Sequence, residues 1–160
     1  MKVTNCVQQS STASANTAGG AFSVNGQYFY YNNISTNTVN MCKVASNGDL
    51  NNCVVAKSGL QTYVQRLTLN YNGDRLFVNT GAGVVSCIID ASTGMFSSCI
   101  TNPASAGGID VWGINFNLEN TRIYTTRENT INMCNYTPAT NQVSACVANT
   151  YTGRTTGIAF

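Results

Sequence analysis

The chain has 160 residues, enough for one domain that buries roughly two-thirds of its unfolded surface. Only 9% of the residues are charged, the formal net charge is +2 and the eight Lys and Arg are scattered, which argues against nucleic acid as a partner and against intrinsic disorder. No apolar run approaches the ~18 residues of a membrane span. The opening residues, Met1 to Cys6, lack the apolar segment of a signal peptide, so an exported form would have lost that segment already.

Along the chain, one unit of about 47 residues recurs. Cys6, Cys53, Cys99 and Cys146 are spaced by 47, 46 and 47, and Cys42, Cys87 and Cys134 by 45 and 47. Residues 1–6 end in Cys6, at the place of the cysteine that closes each unit, and are predicted to form the outermost strand, D, of a unit whose other strands would lie upstream. The first whole unit, about 20–53, has an Asn25-Gly26 turn before Tyr28-Phe29-Tyr30. The second, about 66–99, has Asn72-Gly73 before Leu76-Phe77-Val78. The third, about 112–146, has Glu119-Asn120 before Ile123-Tyr124-Thr125. In that third unit the predicted strands A to D cover 113–116, 122–126, 130–134 and 142–146. Residues 157–160 match 113–116 and are predicted to be an A strand with nothing after it. Short β-branched and aromatic clusters between Gly/Asn turns, with no helical period, make each unit four strands. Four strands every ~47 residues predict an all-β chain built as a β-propeller of antiparallel blades. A β-sandwich has no reason to repeat at that period.

The two cysteines of each unit flank the turn between strands C and D. Between Cys42 and Cys53 the midpoint falls on Asn47-Gly48, the preferred two-residue type I′ loop. Cys87 and Cys99 stand one residue further apart around Thr93, with Gly94 where a three-residue loop needs a left-handed residue; Cys134 and Cys146 centre on Thr140, with Asn141 at that place. Turn and spacing change together while the cysteines stay opposed, within reach of a disulfide. Free thiols filling the sheet as small hydrophobes are the alternative, but opposition across a changing turn favours the bridges Cys42–Cys53, Cys87–Cys99 and Cys134–Cys146. Cys6 is left free or intermolecular. Zinc is disfavoured, because the chain has no histidine and each unit offers a single pair of thiols. Persisting disulfides imply an extracytoplasmic setting: periplasm, cell surface or secretion.

The stretch GINFNLENTRIYTTRENTINMCNYTPATNQVSAC, from Gly113 to Cys146, resembles the YVTN-type β-propeller repeat, as do Phe77-Val78-Asn79, Asp90 to Gly94 and Gly157-Ile158-Ala159. The resemblance spans nearly all of residues 20–160 and is to the cysteine-bearing version found in exported bacterial proteins. It implies the fold; for function it implies surface and periplasmic proteins of unknown role and lactonase-like relatives, none of whose catalytic residues carries over. Gly20-Ala21-Phe22 departs from the Gly-Ile-Ala form.

Propeller ligands usually meet the face built from the D-to-A and B-to-C loops. On it the sequence places Asn32, Asn33, Asn79, Thr80, Arg127 and Glu128 from B-to-C loops, and Tyr63, Arg66, Asp110, Trp112 and Tyr151 from D-to-A connections. Trp112, the only tryptophan, stands where Gln65 stands one unit earlier, so it is either an aromatic anchor for a ligand or a plug between blades. Six acidic residues and no histidine leave little for an acid, base or metal site. The expectation is a non-catalytic scaffold binding a protein, with a lectin-like glycan binder and then a lactonase-like hydrolase as alternatives, and with no cofactor. Three blades and two odd strands do not obviously close a ring, and a homo-oligomer, a dimer, is expected to complete it.

Overall fold

The computed structural model describes residues 16–61, 64–103 and 112–153; the strands expected at 1–6 and 157–160, and with them Cys6, Tyr63 and Asp110, lie outside the described residues. Twelve strands form three four-stranded antiparallel sheets among the described residues. The first holds β1 (Gly20–Phe22), β2 (Tyr28–Asn33), β3 (Thr38–Val44) and β4 (Leu50–Lys57) in that order. The second holds β5 (Leu67–Leu69), β6 (Arg75–Thr80), β7 (Gly83–Ile89) and β8 (Phe96–Pro103). The third holds β9 (Gly113–Phe116), β10 (Arg122–Arg127), β11 (Thr130–Thr137) and β12 (Gln142–Thr150). Each outer strand runs on past its cysteine. The short first strands lie side by side, β1 against β5 and β5 against β9, so the sheets face one another in chain order.

Successive side chains of a strand point to opposite faces, so one strand can serve two neighbours. Leu76 and Val78 of β6 enter a seam with Tyr28, Tyr30, Val39 and Met41 of the first sheet. Phe77, between them, enters the next seam, where its ring meets those of Phe116 and Tyr136 at 4.5 and 5.0 Å. The core is thus two parallel slabs, one in each seam.

Turns of each later sheet close against the sheet before it. Tyr28 Oη donates to Ser92 O at 3.0 Å and Tyr30 Oη to Gly94 O at 2.9 Å. Gly94 has φ 72, and a Cβ there would stand 2.7 Å from the Tyr28 ring, so backbone and packing both demand glycine. In the second seam Asn141 occupies the same position with φ 57 and donates from Nδ2 to Ser86 O at 3.1 Å, while Ser86 Oγ donates to Asn141 O at 2.9 Å.

The cysteine pairs are bridged: Cys42 to Cys53, Cys87 to Cys99 and Cys134 to Cys146. The turns differ from expectation. Ala45 N–H donates to Asp49 O at 2.9 Å and Gly48 N–H to Ala45 O at 2.8 Å, giving a three-residue loop, 46–48, rather than two residues of type I′. The loops of the second and third sheets have four residues, 91–94 and 138–141, rather than three, although Gly94 and Asn141 are left-handed as expected. The cause is a β-bulge in every outer strand. Lys43 pairs with Asn51 but Met41 with Val54; Ile89 pairs with Phe96 but Ile88 with Ser98; Asn135 pairs with Ser144 but Met133 with Val147. Each bulge inserts one residue on the outer strand, with Asn52 and Ala145 left-handed at φ 48 and 47, and so moves the midpoint between the cysteines away from the turn's centre. Only Cys87 and Cys99 are directly paired in register.

Two outcomes are expected. Replacing Cys87 and Cys99 together by alanine costs ~2–4 kcal/mol in denaturant unfolding, and the unfolded wild-type chain, assayed without reductant, exposes at most one reactive thiol. Burial, reinforced by the neighbouring Tyr28, pushes the Tyr30 phenol up to about 12 from 10.0. The unfolded chain ionises first, so stability is intact below pH 10.0, falls as the pH rises toward about 12, and falls less steeply in Tyr30→Phe, as read by alkaline unfolding followed by circular dichroism.

Candidate functional site

The ends of the sheets at which β2, β6 and β10 finish gather the connections between sheets. Asn32, at the end of β2, spans two of them. Its Oδ1 accepts from Ala18 N–H at 3.2 Å and Gly19 N–H at 2.8 Å, and its Nδ2 donates to Gln65 O at 3.0 Å and to Val64 O. One amide therefore ties the segment leading into the first sheet to the segment leading into the second. Arg66 reinforces the tie by donating to Ala18 O.

Asn32, Asn33, Asn79 and Thr80 are buried within strands rather than offered by loops, which corrects the expectation from sequence. Their positions follow the strand's alternation, and Asn32 and Asn79 point into seams. Asn79 and Thr126 repeat the place of Asn32 in the second and third sheets. Both amide atoms of Asn79 and the Thr126 hydroxyl are buried without a hydrogen-bond partner among the described residues. The clamp at Asn32 was missed by sequence reasoning, although an amide or hydroxyl recurring at 47-residue spacing was its visible signal.

Trp112, Arg127 and Tyr151 lie at this end of the third sheet. Trp112 N–H donates to Thr126 O at 2.8 Å just before β9, and its residue is half-buried. Arg127 is exposed at the end of β10. Tyr151 N–H donates to Asn129 O at 2.7 Å, and Tyr151 is exposed. Arg66 sits apart, at the first seam. Asp110 and Tyr63 are not described.

The opposite end carries most of the acid. Asp49 takes a bond from Asn47 Nδ2 at 2.7 Å; Asp74 is held by Asn70 Nδ2 at 2.7 Å and pairs with Arg75 at 2.8 Å; Glu119 accepts from Asn117 Nδ2 at 2.7 Å. Asp90 accepts from the Ser92 hydroxyl and from the N–H groups of Ser92 and Thr93, which hold its carboxyl below the usual range. These four carboxylates shape turns. A cavity of about 260 Å³ opens here between the first two sheets, lined by Ser23, Val24, Tyr28, Asn72, Asp74 and Ile89 among others. Among the described residues no group of three His, Cys, Asp or Glu stands together to hold a metal ion.

Solved structures share this arrangement. A Bacteroides fragilis protein provisionally assigned as a 6-phosphogluconolactonase superposes with a TM-score of 0.70 at 16% identity, over 88% of this chain and 40% of its own. The periplasmic gluconolactonase of Pseudomonas aeruginosa superposes with a TM-score of 0.65 at 17% identity, over 84% and 40%. The WD40 repeats of RRP9 do so with a TM-score of 0.60 at 13% identity, over 86% and 40%. The fold is a β-propeller. Each sheet is a blade, and the chain spans about two-fifths of the length of the propellers it matches. At these identities the likeness is one of fold alone. No family model and no curated protein matches the sequence.

Replacing Asn32 by leucine removes the bonds its amide makes to the N–H groups of Ala18 and Gly19 and to the Val64 and Gln65 carbonyls, at ~1–3 kcal/mol for each group left unsatisfied and out of reach of water, and lowers the melting temperature accordingly. Asn32→Asp keeps the acceptor but aims a carboxylate at the Val64 and Gln65 carbonyls. Its folded-state pKa is raised, so its stability is best in acid and falls as the pH climbs above ~4.

Proposed function

We propose that the chain is a non-catalytic binding scaffold, a YVTN-type propeller module of an exported protein that presents the end bearing Trp112, Arg127 and Tyr151 to a protein partner. The observation that carries this reading is the placement of the acids. Four of the five described carboxylates are tied into turns at the far end, and the chain has no histidine. The near end instead offers the exposed ring of Tyr151, the half-buried Trp112 and the guanidinium groups of Arg66 and Arg127, with Glu128 as its one described carboxylate, a set suited to recognition. Three disulfides fit an oxidising compartment outside the cytoplasm, such as the periplasm or the cell surface. The likeness to gluconolactonases is one of fold alone and is shared, at a lower TM-score, by the WD40 repeats, so it favours no reaction.

The test is a glycan array and a gluconolactone hydrolysis assay run beside pull-down from the extracytoplasmic fraction of the source cells. The expected outcome is a captured protein that free sugars do not displace and that Tyr151→Ala or Arg127→Ala releases, with lactone hydrolysis at the uncatalysed rate. Array binding that Trp112→Ala abolishes would replace the scaffold with a lectin. Lactone turnover would replace it with a hydrolase.

A further inference from the structure

The cavity of about 260 Å³ between the first two blades opens where the repeat departs from itself. The first seam places Val24, Gly73, Ile89 and Ala91 around it. At the positions 47 residues on, the second seam has Tyr71, Asn120, Tyr136 and Pro138, each larger than its counterpart. The Tyr136 ring wedges against Phe77 and Phe116, with centroids 5.0 and 5.4 Å away. The Asn120 amide spans the gap, accepting from Tyr71 N–H at 2.7 Å and donating to Asn72 Oδ1 at 3.3 Å. Space that the second seam fills with its own side chains is a cavity in the first.

Two polar groups on its wall have bonding capacity to spare. Val24 N–H, the counterpart of Tyr71 N–H, has no acceptor among the described residues, because glycine at 73 brings no amide to it. A Cβ on Gly73 would stand 3.7 Å from Val24 N, so an oxygen held in that space does for Val24 what Asn120 Oδ1 does for Tyr71. Asp74, next in the chain, has a side chain 50% exposed. Its Oδ1 accepts from Asn70 Nδ2 at 2.7 Å and its Oδ2 from Arg75 Nη1 at 2.8 Å, and each oxygen keeps a lone pair. Ser23 and Asn25 are spent on the turn, Ser23 Oγ donating to Asn25 Oδ1 at 2.7 Å. Ile89, Ala91 and the rings of Tyr28 and Tyr30 make much of the remaining wall apolar, and the two rings are fixed because their hydroxyls bind Ser92 O and Gly94 O.

We propose that this cavity is a binding site for one neutral hexose, free or at the end of a glycan. A donor N–H beside a carboxylate acceptor calls for groups that accept and donate at once, and adjacent hydroxyls are such groups. One hydroxyl accepts from Val24 N–H in the place of Asn120 Oδ1, its neighbour donates to Asp74, and the C–H face of the ring lies on the apolar wall. Charge selects against other small ligands: a cation meets Arg75 at the carboxylate, and an anion meets the carboxylate itself. Size agrees, because about 260 Å³ is the share of roughly eight or nine waters and falls below the ~300 Å³ at which pockets for drug-sized molecules begin. The wall is formed before the ligand arrives, so little ordering opposes binding. The site lies at the end opposite Trp112, Arg127 and Tyr151 and does not depend on what they recognise.

The experiment is a nitrogen-15 NMR titration of the disulfide-intact chain with glucose, galactose, mannose and N-acetylglucosamine, and with butylammonium and acetate as charged controls. At least one sugar is expected to shift the Val24, Gly73 and Asp74 amides saturably, and the controls to leave them in place. The double variant Val24→Tyr/Gly73→Asn grafts the second seam's pair into the first, and Asp74→Asn removes the carboxylate; each is expected to weaken binding at least tenfold. Far-ultraviolet circular dichroism reports whether they fold, and Asp74→Asn decides alone if the double variant does not. A glycan array then separates the sources: glycans ending in the bound sugar are retained, by a Trp112→Ala chain as well, or only the free sugar binds. No saturable shift with any of the four sugars overturns the proposal. Shifts at these amides with butylammonium and not with sugars overturn it in favour of a cation site. Sugar binding that both variants keep and Trp112→Ala loses overturns it and moves the site to the other end.

Discussion

A four-stranded sheet has two faces and can bury neither by itself, so every blade depends on the blade before it and the blade after it. That dependence sets the chemistry along the chain. The middle strand of the second blade alternates Leu76, Phe77 and Val78 between two seams, and all three are fully buried. A strand apolar on one face only, as in a solvated sheet, could not do this. The turns must also fit, because neighbouring blades approach closely there. Left-handed backbone restricts those positions to glycine and asparagine. The chain uses glycine where the earlier blade presents bulk at Val24 and Tyr28, and asparagine where it presents a main-chain N–H or a serine.

The two ends of each blade are stabilised differently. At one end carboxylates and amides cap their own turns through short-range bonds, as Asp90 does for Ser92 and Thr93. At the other end, Asn32 reaches across blades and joins segments more than thirty residues apart in sequence. The first kind of contact shapes a hairpin that would form in any blade; the second fixes one blade relative to the next.

The repeat made the architecture legible. Spacing of 47 residues, turn dipeptides ahead of apolar clusters and cysteine pairs around a changing turn give strands at positions close to those observed; the strand at 113–116 coincides with β9. What escaped was anything that depends on a one-residue insertion or on the direction of a side chain. A bulge at Asn52 or Ala145 leaves no mark in composition, because neither residue is a glycine, yet it lengthens the loop and takes the cysteines out of direct register. Asn32 and Asn79 looked like loop residues because asparagine is a turn former by propensity, and the strand's alternation, which turns them inward, outweighed it. Of the proposed surface residues, Trp112, Arg127 and Tyr151 do fall at one end of one blade, since all three adjoin strand ends that the repeat had located.

The bridges stand where burial is weakest. In the first blade β2 is buried at five of its six residues, whereas β4 is exposed or half-buried at every one. In the third, β12 has a single buried residue, Val143. An outer strand lies furthest from the axis, has neighbours on one edge only and gains little apolar contact, so backbone hydrogen bonds worth ~1 kcal/mol each net are most of what holds it. A bulge interrupts that ladder at the cysteine itself in two blades and two residues from it in the second. A covalent link to a buried cysteine of the adjacent strand, Cys42, Cys87 or Cys134, holds the outer strand where the ladder is broken.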